Sequence, residues 1–275
     1  MEGKMKAAVM TGPLKMEWEE RDIPIPGPGE LLIKLEYVGV CGSDLHFYSD
    51  GRLANWVPDG PLVLGHEPGG VVVEVGPGVE GFSVGDRVAL EPGVPCGHCE
   101  DCLKGHYNLC QHVKFMAIPG ERDGVFSEYC THAASMTFHL PDNVSTMEGA
   151  LMEPLAVGMH ACELSNAKIS QSAVVLGCGC IGLVTIMSLR ARGITEIYAA
   201  DILELDIATL NAMEGTIYSV YRYRNLYPTA IQAVSSGLIP LKKIVSHVFD
   251  FADVIEGVDY SLNHKDEVIK SVIRF

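Results

Sequence analysis

Four cysteines stand at a spacing that makes metal chemistry: Cys96-x2-Cys99-x2-Cys102-x7-Cys110, written PCGHCEDCLKGHYNLC. Four thiolates on a glycine-containing loop close a tetrahedral shell around zinc and leave no open position, which describes a structural site. The chain has nine cysteines, an odd number, and clustered thiols without a metal are an oxidation liability, so metal fits better than disulfides. A second set is dispersed: Cys41 in VGVCGSDLH, His66 and Glu67 in LGHEPGG, and Glu153 in LMEPLAVG. One thiolate, one imidazole and one or two carboxylates offer zinc three protein ligands and leave room for water or substrate, which is a catalytic shell. Each of these residues alone is more often structural, a lone Cys a small core residue and a His-Glu pair a loop feature, and no periodicity brings them together. A third pattern is Gly177-x-Gly179-x-x-Gly182, placed after the apolar run SAVVL. There Gly177 permits a tight turn, Gly179 lets a pyrophosphate approach the backbone, and Gly182 allows close helix–strand packing at a helix N-terminus that attracts phosphate. Asp201 ends the next apolar strand, where it accepts hydrogen bonds from ribose hydroxyls and repels a 2′-phosphate, favouring NAD over NADP.

The elements that must carry these residues change character along the chain. Residues 5–90 alternate short β-type runs (KAAVM, LLIKLEYVGV, GGVVVEVG, DRVAL) with Gly/Pro punctuation, as in a small β-rich barrel or sandwich. The cysteine loop follows. FSEYCTHA then returns to a strand, and Asn143 or Ser145 caps a helix that leads into a second. From Ser172 the sequence reads strand, glycine turn, amphipathic helix, strand, which is half of a nucleotide-binding βαβ unit. Beyond it, TIYSVYRY reads as a strand, PTAIQAVSSG as a helix stopped by Gly237, and the remaining IVSHVF, ADVIEGVDYSLN and VIKSVIRF as strand, helix, strand.

Composition bounds the partners. The 275 residues are 48% hydrophobic and carry 20 Lys+Arg against 35 Asp+Glu, a formal charge of −15. That charge opposes binding to a phosphate backbone, as do Glu100 and Asp101 in the cysteine loop itself, so nucleic acid is not an expected partner. No apolar run reaches the roughly 18 residues of a membrane span, and the N-terminus lacks a signal-peptide pattern, so a cytoplasmic protein without membrane association is expected.

The run Gly65-His66-Glu67-x2-Gly70-x5-Gly76, after Cys41-Gly42-Ser43-Asp44 and before the four-cysteine loop, resembles the zinc-dependent medium-chain alcohol dehydrogenase family. Within it the chain looks most like the polyol branch, the sorbitol and xylitol dehydrogenases. Glu67 and Glu153 accompany Cys41 and His66 where other alcohol dehydrogenases have a second cysteine ligand, and YRYRNLYP resembles the branch's Arg-Tyr substrate motif.

The resemblance implies an α/β plus β fold: a GroES-like zinc-binding catalytic domain from residues 1–152 and 224–275, and a Rossmann-type NAD-binding domain from 153–223. It implies one catalytic and one structural zinc, NAD, a small-molecule polyol substrate and a homodimer or homotetramer. Carried over by position, Ser43 and His46 are the proton-relay candidates. Phe47, Phe115, Glu153, Arg222 and Tyr223 are the substrate contacts, with Phe47 where the sorbitol enzymes usually carry Tyr. Gly177, Gly179, Ile181, Gly182 and Asp201 are the cofactor contacts. The family's cofactor sheet has six parallel strands, whereas here only strand 1, its helix and strand 2 precede a segment resembling strand 6. Three βα units are missing, a gap of roughly 70–80 residues. Two outcomes follow: an NAD-dependent polyol or secondary-alcohol dehydrogenase, or a zinc-stabilised non-catalytic binding or scaffold protein derived from one.

Overall fold

The computed structural model describes residues 3–201 and 218–275. They form two compact units, one from Met1–Glu153 and Lys242–Phe275, the other from Pro154–Leu241. The chain returns to the first unit at Lys242, whereas the sequence reading placed that return at residue 224; helix Tyr227–Ser235 belongs to the second unit.

The first unit is the β-rich one. Its larger sheet runs Thr137–His139, Arg87–Leu90, Glu67–Val75, Glu30–Gly39, Ser271–Arg274, His247–Asp250, with Tyr129–Ala133 also pairing to Glu30–Gly39. A smaller sheet places Lys4–Gly12 between Lys15–Asp22 and Leu62–Val63. The β-branched and leucine-rich runs seen in the sequence supply the core: Leu31, Ile33, Leu35, Val38, Val72, Val88, Leu90 and Phe126 are all buried together. Strand Glu30–Gly39 shifts register against Glu67–Val75 at two places, between Leu32 and Ile33 and between Leu35 and Tyr37. Such bulges bend a strand and raise its twist. The far end of this pairing sets Gly39 opposite Glu67, and Val272 opposite Gly39 from the other side. Helix Thr146–Ala150 opens on a capping box, in which the Ser145 hydroxyl accepts from Glu148 N–H and Glu148 accepts from Ser145 N–H. It packs so closely on strand Glu67–Val75 that a Cβ at Gly69 would collide with the Thr146 carbonyl.

In the second unit Ser172–Leu176 and Glu196–Ala200 pair in parallel, joined through helix Cys180–Ala191. Cys162, Val175, Leu189 and Ile194 form its small core. Among the described residues this sheet has two strands, and Val174 (65% exposed) and Tyr198 (57%) remain open to water, apolar faces of the kind that helices cover in parallel sheets. TIYSVYRY was expected as a strand. Thr216 and Ile217 lie outside the described residues, and 218–223 run without strand structure. A strand needs a ladder partner, and positive φ at Arg222 (53°) and Asn225 (56°) breaks the extended backbone where the pairing would continue. Among the described residues no helix is long and apolar enough to cross a membrane.

Candidate metal centres and active site

The four-cysteine loop folds as a metal-sized cage. Gly97 (φ 77°) and Gly105 (φ 78°) take the left-handed turns on either side of the short helix Glu100–Leu103. All four thiols are free, with Sγ–Sγ distances of 4.0 Å (Cys96–Cys102), 3.7 Å (Cys99–Cys110) and 3.6 Å (Cys96–Cys110). A regular tetrahedron with Zn–S bonds of about 2.3 Å has edges of about 3.8 Å, so the cage fits zinc. Backbone N–H groups of Cys96 and His112 donate to Cys110 Sγ, and that of Cys99 to Cys96 Sγ, as suits thiolates. The thiols do not ionise alike by themselves. The His98 amide, ahead of other donors, lowers Cys96 to about 6, while desolvation and then the neighbouring thiols push Cys102 up to about 12. Four thiolates together require a cation.

The dispersed set converges in the first unit. Cys41 caps helix Gly42–Asp50, and His66 and Glu67 lie where Glu67–Val75 begins; one ligand atom from each lies within 4.8 Å of the others. Asp44 ties the two loops together. Its buried carboxylate accepts from Cys41 N–H at 2.9 Å and Gly65 N–H at 2.8 Å, and stands 3.5 Å from His66 Nδ1. Burial opposes its charge, but the His66 imidazole and the two amides outweigh that and hold Asp44 below the usual carboxylate range. Gly65 (φ 88°) makes the turn before His66, where a Cβ would strike the Phe126 ring. Glu67 has room because its facing residue is Gly39, whose Cβ would collide with Glu67 Oε2. Lys270, immediately before strand Ser271–Arg274, donates to Glu67 Oε1 at 2.6 Å and to the Val40 carbonyl at 2.9 Å. Sulfur, nitrogen and oxygen donors at this spacing fit a three-ligand zinc site with a position left over.

The other expected residues distribute around this point. Glu153 is buried in the first turn of helix Met152–Leu164, outside the 4.8 Å group. Ser43 is half-buried two residues beyond Cys41, and His46 is exposed, 3.6 Å from Asp50. The Phe115 ring lies 5.7 Å from that of His66. Phe47 is 1% exposed and packs in the core of the first unit. Asp44 and Lys270 were missed by the sequence reading, although a lysine inside the apolar run VIKSVI was a signal for a buried cation.

The second unit carries the glycine turn. Gly177 has φ 99° and donates its N–H to the Ala200 carbonyl at 2.7 Å, and Gly179 caps helix Cys180–Ala191. A Cβ at Gly182 would collide with the Gly177 carbonyl, so the turn closes only with glycine there. Ile181 is exposed in the first turn, and Asp201 directly follows strand Glu196–Ala200. The Arg222 guanidinium sits over the Tyr221 ring at 5.0 Å, and Tyr223 is buried, 5.8 Å from the Tyr227 ring.

The alcohol dehydrogenase GroES-like domain profile matches residues 27–142. A zinc-type alcohol dehydrogenase-like protein of Escherichia coli (strain K12) is 36% identical over 343 aligned positions, covering 98% of this chain and 99% of the relative. Sorbitol dehydrogenase of Bacillus subtilis (strain 168) is 30% identical, covering 98% and 97%. The crystal structure of an Escherichia coli oxidoreductase/dehydrogenase of unknown specificity superposes with a TM-score of 0.93 at 34% identity, covering 99% of each chain. An alignment of 343 positions against 275 residues leaves at least 68 positions without a residue of this chain, which is the size of three βα units.

Proposed function

The chain belongs to the zinc-type alcohol dehydrogenase family, in its polyol branch, and on that footing we propose that it transfers hydride from a polyol or secondary alcohol to NAD. The observation that carries this reading is the convergence of Cys41, His66 and Glu67, remote in sequence, within 4.8 Å in the first unit, with His66 and Glu67 buried and Cys41 half-buried. These three residues would hold the catalytic zinc, and Cys96, Cys99, Cys102 and Cys110 the structural one. Bound there, zinc would supply Lewis acidity towards an alcohol oxygen, of the kind that brings the pKa of bound water down to about 7, and the dinucleotide would supply the hydride acceptor.

The chain's own residues do the rest. Asp44 fixes the His66 ring and the Cys41 backbone, so the ligand geometry is set before a metal arrives. Ser43, two residues after Cys41, is the first station for the departing alcohol proton, and exposed His46 passes it to solvent. Phe115 provides an apolar wall beside His66, and Glu153 holds a substrate hydroxyl or water. Arg222 and Tyr223 are assigned to the distal hydroxyls of the polyol. The turn at Gly177, Gly179, Ile181 and Gly182 receives the pyrophosphate, and Asp201 the ribose hydroxyls, which selects NAD. The reading includes a cytoplasmic homodimer or homotetramer, with no nucleic-acid or membrane partner.

NADH formation by the zinc-replete protein with sorbitol, xylitol, galactitol and butanediol tests the proposal. Turnover of at least one is expected, and none with any of them removes it. The open faces of the two-stranded sheet favour one second reading, a zinc-stabilised binding or scaffold protein. That reading calls for two zinc ions per chain and no heat of NAD binding in calorimetry.

A further inference from the structure

A cleft of about 550 Å³ in the first unit is lined by residues that no step above uses. Its volume is that of a small-ligand site, and its walls come from strands Lys4–Gly12 and Lys15–Asp22 and from the turn after strand His247–Asp250. Trp18 and Glu20, two residues apart, share one face of their strand, and Lys6 is the ladder partner of Glu20. The Trp18 indole is 41% exposed and is braced from one side. The Phe251 ring meets it at right angles with centroids 5.0 Å apart, and Phe251 is in turn stacked on Phe275 at 4.2 Å. The carboxylates are held as well. Glu128, directly before strand Tyr129–Ala133, accepts from the Lys6 backbone N–H at 2.7 Å. Glu19 accepts from Arg21 Nε at 3.0 Å and Nη2 at 2.9 Å, so its charge is matched. Glu20 and Glu128 remain against the ammonium of Lys6, in a chain whose formal charge is −15.

A water-facing indole beside fixed carboxylates attracts a cation that also carries apolar surface, because the ring quadrupole and the carboxylates act on its charge while the rings take its alkyl part out of water. A hydrated metal ion gains little from the indole, and a lone ammonium answers one carboxylate only. We propose that this cleft binds an aliphatic polyamine, with one ammonium over the Trp18 indole, others at Glu20 and Glu128, and the methylene chain along Phe251 and Ala252. Lys6 supplies the cation already there, and a polyamine brings several to the same carboxylates. The cleft has no residue in common with either metal centre or with the glycine turn, so the inference does not depend on the function proposed above.

Titration of the full zinc-loaded chain with spermidine, followed by tryptophan fluorescence, tests the inference. In a Trp56→Phe background Trp18 is the sole tryptophan and reports on the cleft. A saturable change is expected, half complete at about 1 mM or below and weaker as salt is raised. Magnesium chloride at equal ionic strength is expected to give none. In calorimetry the spermidine affinity is expected to fall about two- to fivefold in Trp18→Leu, which removes the ring, and by a similar factor in Glu20→Gln and in Glu128→Gln. A Trp18 signal that spermidine leaves unchanged, a magnesium response equal to that of spermidine, or an affinity unmoved in Trp18→Leu or in both glutamate variants overturns the proposal. Should Trp18→Leu fail to fold, the glutamate variants decide, because Glu20 is exposed and its exchange leaves the ladder intact. Absence of turnover with polyols would leave every one of these readings untouched.

Discussion

Lys270 and Glu67, 203 residues apart in sequence, form an ion pair at 2.5 Å with both side chains almost fully buried, 4% and 1% exposed. Topology brings them together: Glu67 faces Gly39, Gly39 faces Val272, and Lys270 lies two residues before Val272. The same carboxylate is a metal-ligand candidate, so ammonium and zinc compete for one negative charge.

Lys270→Met therefore strands a buried carboxylate whenever no metal is bound. Breaking a buried pair costs about 3–5 kcal/mol. Urea unfolding is expected to show a loss of this order in chelator-treated protein and a smaller loss in zinc-replete protein, where the ion offsets the charge. Equal losses in both would show that Glu67 does not serve the metal.

Elemental analysis is expected to give two zinc ions per chain. Cys96→Ala should lose one of them and lower the melting temperature, because the loop Cys96–Cys110 then has no cation to hold its thiolates together. Retention of both ions would place the second zinc elsewhere.

Gly182→Ala puts a methyl group into the Gly177 carbonyl and opens the turn. NAD affinity by calorimetry is expected to fall at least tenfold, about 1.4 kcal/mol, with the zinc content unchanged. Unaltered affinity would mean that the dinucleotide does not use this turn.

Two buried groups oppose each other in the pH dependence of stability. His132 titrates at about 3 folded against 6.5 unfolded, so below 6.5 the unfolded chain binds more protons and stability falls with falling pH. Glu91 titrates at about 7 folded against 4.5 unfolded, so its contribution is complete below 4.5 and is lost as pH rises through 7. Between pH 4.5 and 6.5 the slopes offset. Glu91→Gln should uncover the His132 slope, up to about 1.4 kcal/mol per pH unit, in denaturation curves across that window. An unchanged profile would contradict one of the two assignments.

The sequence made the barrel strands legible because they alternate with Gly/Pro punctuation, and the four-cysteine cage because its ligands are local. The Cys41, His66 and Glu67 group was legible through family resemblance alone, since its convergence depends on the bulged pairing of Glu30–Gly39 with Glu67–Val75. Lys270 and the Tyr107–Glu91 contact arise from pairings that no local period encodes. TIYSVYRY misled because its apolar alternation is that of a strand, while pairing is decided by which neighbours the chain retains.

The barrel draws its strands from both sides of the second unit, with Lys270 reaching the Val40 carbonyl across 230 residues. During synthesis its seam therefore stays open until the whole inserted unit has left the ribosome, roughly 4–18 s for residues 154–241 at about 5–20 residues per second. A shorter insert shortens that wait. It also removes no stave from the barrel, so evolution or an engineer can trim the guest without dismantling the host.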